Sequence, residues 1–223
     1  MAVQVADGFL MGRNSRLVCL GDSITEDARG YVPLMSALIA AGYPERNVSV
    51  VNAGIGGHRA PDMLERFKRD VLERRPAVVT ISVGINDVWH GFTDTSPDGS
   101  GPRGVQLDTY TLCVRQMLAM LRESTDAEPV LITPTVIGED IDNPDNARNA
   151  RLRGYVEAIR SLADEHGTYL ADAHGAFLQA IRAGVASNPA FRLTTDGVHT
   201  NDSGAAVLAL CLLGALGFAG LAG

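Results

Sequence analysis

The sequence predicts an α/β fold in which a parallel sheet carries helices on both faces. Three observations lead there: five short apolar runs, helical periodicities between them, and polar or glycine-bearing segments directly after several runs. The chain has 223 residues, of which 46% are apolar and 20% charged. These are ordinary globular proportions, and they exclude a disordered, collagen-like or disulfide-stapled chain. A single domain spanning 1–223 is expected, long enough to bury roughly 70% of the surface exposed by its unfolded form.

The runs are Arg16–Leu20, Val48–Asn52, Ala77–Val83, Pro129–Thr133 and Thr168–Ala171. Each is nearly continuous in hydrophobicity, as expected of strands covered on both faces. Between the third and fourth, Leu107, Tyr110, Val114, Met117 and Leu121 recur at steps of three and four. Tyr155, Ile159 and Leu162 repeat the pattern before the fifth run, with Gly167 as the expected C-cap. Strand–helix alternation of this kind argues a parallel sheet. Residues 204–223 carry no charge and are long enough to cross a bilayer. No Lys/Arg cluster flanks them, so a buried last helix with a glycine-rich tail is expected, without membrane insertion. Such a helix also makes a homo-oligomer a candidate assembly.

Lys and Arg number 19 against 26 Asp and Glu, a net charge of −7. An acidic surface repels phosphate backbones, so nucleic acid is not an expected partner. Cys19, Cys113 and Cys211 are odd in number and widely spaced. They read as core cysteines of a reducing, cytoplasmic setting. The first residues lack a basic start followed by an apolar stretch, so no cleaved signal peptide is expected. His58, His90, His166, His174 and His199 show no paired ligand spacing, so no metal is expected, and with no complete dinucleotide fingerprint no organic cofactor is expected either.

In parallel sheets, ligands bind beyond the carboxyl ends of the strands. After the first run stands Gly21-Asp22-Ser23-Ile24-Thr25-Glu26, and at the second Asn52-Ala53-Gly54-Ile55-Gly56-Gly57-His58. After the third stands Gly84-Ile85-Asn86-Asp87-Val88-Trp89, and near the C-terminus Asp196-Gly197-Val198-His199. Together they supply a hydroxyl, a flexible backbone, a side-chain amide and a carboxylate–imidazole pair. Acyl transfer through a serine needs those parts. Ser23 is the candidate nucleophile, though Ser or Asp22 there also suits a helix N-cap. His199 is the candidate base, and Asp196, three residues earlier, can orient its ring; an Asx-turn beside Gly197 is the alternative use of that aspartate. Candidate oxyanion donors are the Ser23 N–H, one of the glycine N–H groups at 54, 56 or 57, and the Asn86 amide. Arg59 stands where a dinucleotide fingerprint needs its third glycine, and Thr25 stands where a G-x-S-x-G elbow needs its second.

GDSIT, NAGIGG, GINDVW and DGVH resemble, in order, the four sequence blocks of the SGNH hydrolases, also called GDSL lipases/esterases. They span residues 21 to 199. The resemblance implies a flavodoxin-like three-layer α/β/α sandwich with a five-stranded parallel sheet. It makes Ser23 the nucleophile, His199 the base and Asp196 its orienting acid, with Asn86 and Gly57, five residues after Asn52, completing the oxyanion hole. GINDVW, Met63–Phe67 and Tyr31-Val32 look like the intracellular acetylxylan-esterase-like branch. The chain departs from that branch in the loop 92–105 and at Leu193-Thr194-Thr195.

Asp22, His58 and Trp89 are candidate substrate contacts. His58 equally suits an exposed helix start, and Trp89 suits half-buried packing. The acidic stretch Gly138–Asn146 reads as a solvated loop near the same sheet edge, able to discourage anionic substrates. The expected function is a serine esterase cleaving short-chain carboxylic esters, with acetylated carbohydrate as substrate. A lysophospholipase or thioesterase with the same mechanism, and a non-catalytic carbohydrate-binding protein, are the alternatives.

Overall fold

A computed structural model describes residues 8–220. Residues 1–7 and 221–223 lie outside it, and with them part of the expectations about both termini. The strands are β1 (Arg16–Gly21), β2 (Ser49–Gly54), β3 (Val78–Ser82), β4 (Glu128–Ile132) and β5 (Tyr169–Ala171). All pair in parallel, in the order β2-β1-β3-β4-β5. The chain therefore steps outward from β1 to β2, then returns to the other side of β1 for β3. That reversal opens a crevice between the carboxyl ends of β1 and β3, where ligands of such sheets bind.

The helices are α1 (Ser23–Glu26), α2 (Tyr31–Gly42), α3 (Ala60–Asp70), α4 (Ile85–Trp89), α5 (Leu107–Ser124), α6 (Ala147–His166), α7 (Ala173–Ser187) and α8 (Asp202–Ala215). In one set α2 packs on α8 and α8 on α7; in another α3 packs on α5 and α5 on α6. The sheet lies between them, giving the three-layer α/β/α sandwich. Leu17, Val18, Leu20, Val79, Ile81, Val130 and Leu131 form the fully buried middle of the core. Gly167 closes α6 in the left-handed conformation.

Two local differences from the sequence reading have physical causes. β2 and β5 are edge strands with partly exposed residues, so their apolar runs are not covered on both faces. β2 also runs two residues further than the apolar run, because Ala53 and Gly54 continue the ladder opposite Leu20 and Gly21. Asn52, Ala53 and Gly54 are thus strand, not loop. The apolar C-terminal stretch contributes α8, which buries Leu208, Leu212 and Leu213. Among the described residues, no helix is long and apolar enough to cross a membrane.

Candidate active site

Ser23 is the first residue of α1, presented just past β1. The Asp22 carboxylate accepts the Ile24 N–H at 3.0 Å and so starts the helix. This one-turn helix lies directly on the ends of β1 and β2. A Cβ on Gly54 would sit 2.2 Å from the Glu26 backbone nitrogen, and one on Gly21 would sit 1.9 Å from Thr25 Oγ1. Only glycine permits that approach. Asn52 Nδ2 donates to the Thr25 carbonyl at 2.5 Å. Buried Arg66 donates to the Gly21 and Ala53 carbonyls at 2.9 and 2.8 Å, riveting α3 to both strand ends.

His199 arrives from the far end of the chain. Its loop is closed by the Thr195 N–H to the His199 carbonyl, 2.8 Å, and by the Asn201 N–H to the Leu193 carbonyl, 2.9 Å. Asp196 Oδ1 accepts the Val198 and His199 backbone N–H groups at 3.0 and 2.8 Å. Asp196 Oδ2 accepts His199 Nδ1–H at 2.7 Å. Burial works to raise the Asp196 pKa, but these hydrogen bonds hold it below the ordinary carboxylate value. With Nδ1 carrying the proton, the Nε2 lone pair faces Ser23 Oγ at 2.9 Å, across 176 residues of sequence.

The neighbouring donors are arranged as follows. Asn86, in the first turn of α4, is 4% exposed, and its amide donates one hydrogen to the His58 carbonyl at 3.1 Å. The second hydrogen has no acceptor among the described residues. Of the three glycines, Gly54 spends its N–H on Asn52 Oδ1 at 2.8 Å, and Gly56 spends its own on Glu26 Oε2 at 3.0 Å. The Gly57 N–H has no acceptor among the described residues, and its φ of +77° turns the backbone there.

The three candidate substrate contacts, Asp22, His58 and Trp89, have different surroundings. Trp89 stands beside the imidazole, ring centroids 6.2 Å apart, and lines a cleft of about 570 Å³. That cleft also takes in Asp196, Val198, Asp94, Gly138 and Asp145, and in it the Arg148 guanidinium lies over the Phe92 ring, 5.6 Å from its centroid. The cleft adjoins the site at Asp196 and Trp89; Ser23, His199, Asn86, Gly57, His58 and Asp22 are not among its lining residues. Asp22 is buried, and its carboxylate serves as the α1 cap, so the capping role replaces substrate contact. Burial pushes its pKa up to about 6. The His58 ring accepts a hydrogen bond from Arg66 Nε at 3.1 Å, and burial together with Arg66 lowers its pKa. What His58 offers the site is its carbonyl. The acidic stretch is more than a solvated loop: Glu139 accepts the Leu193 and Thr194 N–H groups and the Thr194 hydroxyl, just upstream of Asp196. Glu139 and Arg66 were missed in the sequence. Arg66 did leave a signal, a charge on the α3 face shared with Met63 and Phe67.

A strand-end serine, an imidazole and a carboxylate in line, beside free N–H donors, can carry acyl transfer. The sequence also matches the GDSL-like Lipase/Acylhydrolase family over residues 19–207. The chain belongs to that family. It is accordingly a carboxylic ester hydrolase, with its similarity running to the acetylxylan-esterase-like branch. An acetylxylan esterase of Geobacillus stearothermophilus is 28% identical, over 93% of this chain and 96% of the relative. The crystal structure of that organism's Axe2, an acetylxylan esterase, superposes with a TM-score of 0.81 at 28% identity, covering 93% of this chain and 96% of that one. LAE5, an alpha/beta hydrolase enzyme from the Lake Arreo metagenome, reaches 0.82 at 30% identity, covering 94% and 98%.

Proposed function

We propose that this protein is a serine acetylesterase that removes short acyl groups, above all acetyl groups, from carbohydrate esters. The observation that carries the mechanism is the line from Ser23 Oγ to His199 Nε2, 2.9 Å, and from His199 Nδ1 to Asp196 Oδ2, 2.7 Å. Ser23 Oγ attacks the ester carbonyl carbon while its proton passes to His199 Nε2. The tetrahedral oxygen gains negative charge and is met by the Ser23 N–H, the Gly57 N–H and the free hydrogen of the Asn86 amide. Asp196 holds the ring in the tautomer that receives the proton and stabilises the imidazolium. Collapse breaks the bond to the leaving alcohol, which takes the proton from His199 and leaves an acyl-Ser23. Water, deprotonated by His199, then attacks the acyl carbon and releases the acid and the free Ser23 hydroxyl.

The carbohydrate reading is supported by the acetylxylan esterase relative and by the cleft. Its volume of about 570 Å³ falls in the roughly 300–1,000 Å³ range of small-molecule sites. Trp89 is an aromatic side chain suited to contact with a sugar ring, and Asp94, Asp140 and Asp145 outnumber Arg148 in the cleft, which suits a neutral substrate. Solved variants of Axe2 described as catalytic mutants replace a serine, an aspartate and a histidine by alanine, which supports the same three roles here. The unpaired cysteines support a cytoplasmic location. A homo-oligomer covering the outer face of α8, where Leu210 is 64% exposed, is the assembly we propose; gel filtration over a range of concentrations tests it.

The substrate reading is tested by comparing acetylated xylose oligomers, p-nitrophenyl esters of graded chain length and an acyl-thioester. Preference for acetyl groups on sugars is expected. A rise in kcat/KM toward long acyl chains overturns it in favour of a lysophospholipase.

A further inference from the structure

Asp87 follows Asn86 in the first turn of α4 and is 1% exposed. A buried carboxyl group is costly unless its oxygens are met by donors. Asp87 Oδ1 accepts the Ala60 N–H, the first of α3, at 2.9 Å. Asp87 Oδ2 is buried with no hydrogen-bond partner. The Asp87 backbone carbonyl accepts the Val105 N–H at 2.9 Å, at the end of the loop 92–105. One residue therefore joins α4, the start of α3 and the close of that loop.

The consequence lies in what hangs between two adjacent side chains. The Asn86 amide holds the His58 carbonyl at 3.1 Å, and the Asp87 carboxyl group holds the Ala60 N–H. The turn from Gly57 to Ala60 is thus gripped on both sides of Arg59. Gly57, whose N–H is free, sits immediately before the first grip. Burial pushes the Asp87 pKa up to about 7, and the nearby Asp22 adds to the rise.

We propose that Asp87 is a positioning residue for ester hydrolysis: it fixes the turn at 57–60 so that the Gly57 N–H and the Asn86 amide converge on one oxygen. Asp87 touches no substrate and acts through those two donors. The inference rests on the serine-esterase reading above.

The test compares Asp87→Asn, Asp87→Leu, Asp87→Ala and Asn86→Ala with the unmodified enzyme on p-nitrophenyl acetate. The asparagine side chain keeps an oxygen for the Ala60 N–H; leucine keeps the volume and lacks the acceptor. Asp87→Leu should lower kcat by about 10- to 100-fold while KM stays within about threefold, because misplaced donors weaken only the transition state. Affinity for an alkylboronic acid, which forms a tetrahedral anionic adduct with a serine, should fall by a similar factor. Asp87→Asn should recover kcat to within about fivefold of the unmodified enzyme. Thermal melts report folding, and Asp87→Leu and Asp87→Ala give two independent chances of a folded variant without the acceptor. If either is folded and keeps full kcat and boronate affinity, the proposal is overturned. It is also overturned if Asp87→Asn is as impaired as Asp87→Leu. If Asn86→Ala itself leaves kcat unchanged, the oxyanion reading beneath the proposal fails. A loss with Asn86→Ala and none with Asp87→Leu removes the role of Asp87 alone.

Discussion

Replacing Glu139 by alanine should unfasten His199 without touching Ser23, Asp196 or His199 itself. Glu139 accepts the Leu193 N–H at 3.0 Å with each oxygen, and the Thr194 N–H at 2.7 Å. The Thr194 hydroxyl also donates to it, and in turn accepts the Gly197 N–H at 3.1 Å. A second buckle runs from the Gly138 N–H to the Gly197 carbonyl, 2.7 Å. Leu193 and Thr194 are buried, so the variant strands donors that water reaches poorly. A buried unsatisfied donor costs about 1–3 kcal/mol. With partial rehydration of the three, a loss of about 2–4 kcal/mol is expected. For a chain of this size that lowers the melting temperature by about 5–15 °C. The His199 ring, no longer held from upstream, drifts from Ser23 Oγ, and kcat should fall about 10- to 100-fold with little change in KM. Differential scanning calorimetry and steady-state hydrolysis of p-nitrophenyl acetate measure both. Glu139→Gln keeps one acceptor oxygen and should lie between. A Glu139→Ala enzyme with unchanged kcat and melting temperature would refute the claim that this residue holds the loop.

Further outcomes follow from the same geometry. Asn86→Ala should reduce kcat by about 10²–10³, since one oxyanion donor is lost, and steady-state kinetics with KM read separately checks it. Asp196→Asn should cost about 10³–10⁴ in kcat by leaving His199 in the wrong tautomer, while circular dichroism stays native. Gly54→Ala should destabilise the fold by about 3 kcal/mol or more, because its Cβ meets the backbone at Glu26 rather than a movable side chain; urea denaturation measures this. Asp87 binds its proton more tightly folded, with a pKa of about 7, than unfolded near 3.8. The folded state therefore holds the extra proton between those values, and the stability this contributes is lost as pH rises from about 4 to 7. Asp22, Arg59, Tyr110, Cys113 and Tyr155 surround the group electrostatically. Asp87→Asn should gain on the unmodified protein across that window in urea melts, and a stability difference independent of pH would contradict the assigned shift.

The strands were legible because a buried parallel strand needs an unbroken apolar run, and all five runs became strands. Edge exposure was not legible, since Val50 and Val51 look the same in sequence whether or not a helix covers them. Ser23, Asp196 and His199 stood out as candidates only in combination, because each alone equally suits a cap or a turn. The choice among Gly54, Gly56 and Gly57 was not. It depends on which N–H groups are consumed by Asn52 and Glu26, and Glu26 lies 30 residues from its partner. Asp22 could be read as a helix cap or as a substrate contact, and the Ile24 N–H bond together with its burial shows the cap. Glu139 read as part of a solvated acidic loop, and Asp87 stood in the third motif with no role of its own, because their partners at 193–194 and 60 are brought to them only by the folded chain.

The most direct test of the whole account is covalent labelling with a serine-directed phosphonate, followed by peptide mapping of the adduct. The account predicts one adduct, on Ser23, abolished by His199→Ala and blocked by a competing acetyl ester. An adduct on any other residue, or a Ser23→Ala enzyme that keeps its turnover, would contradict it.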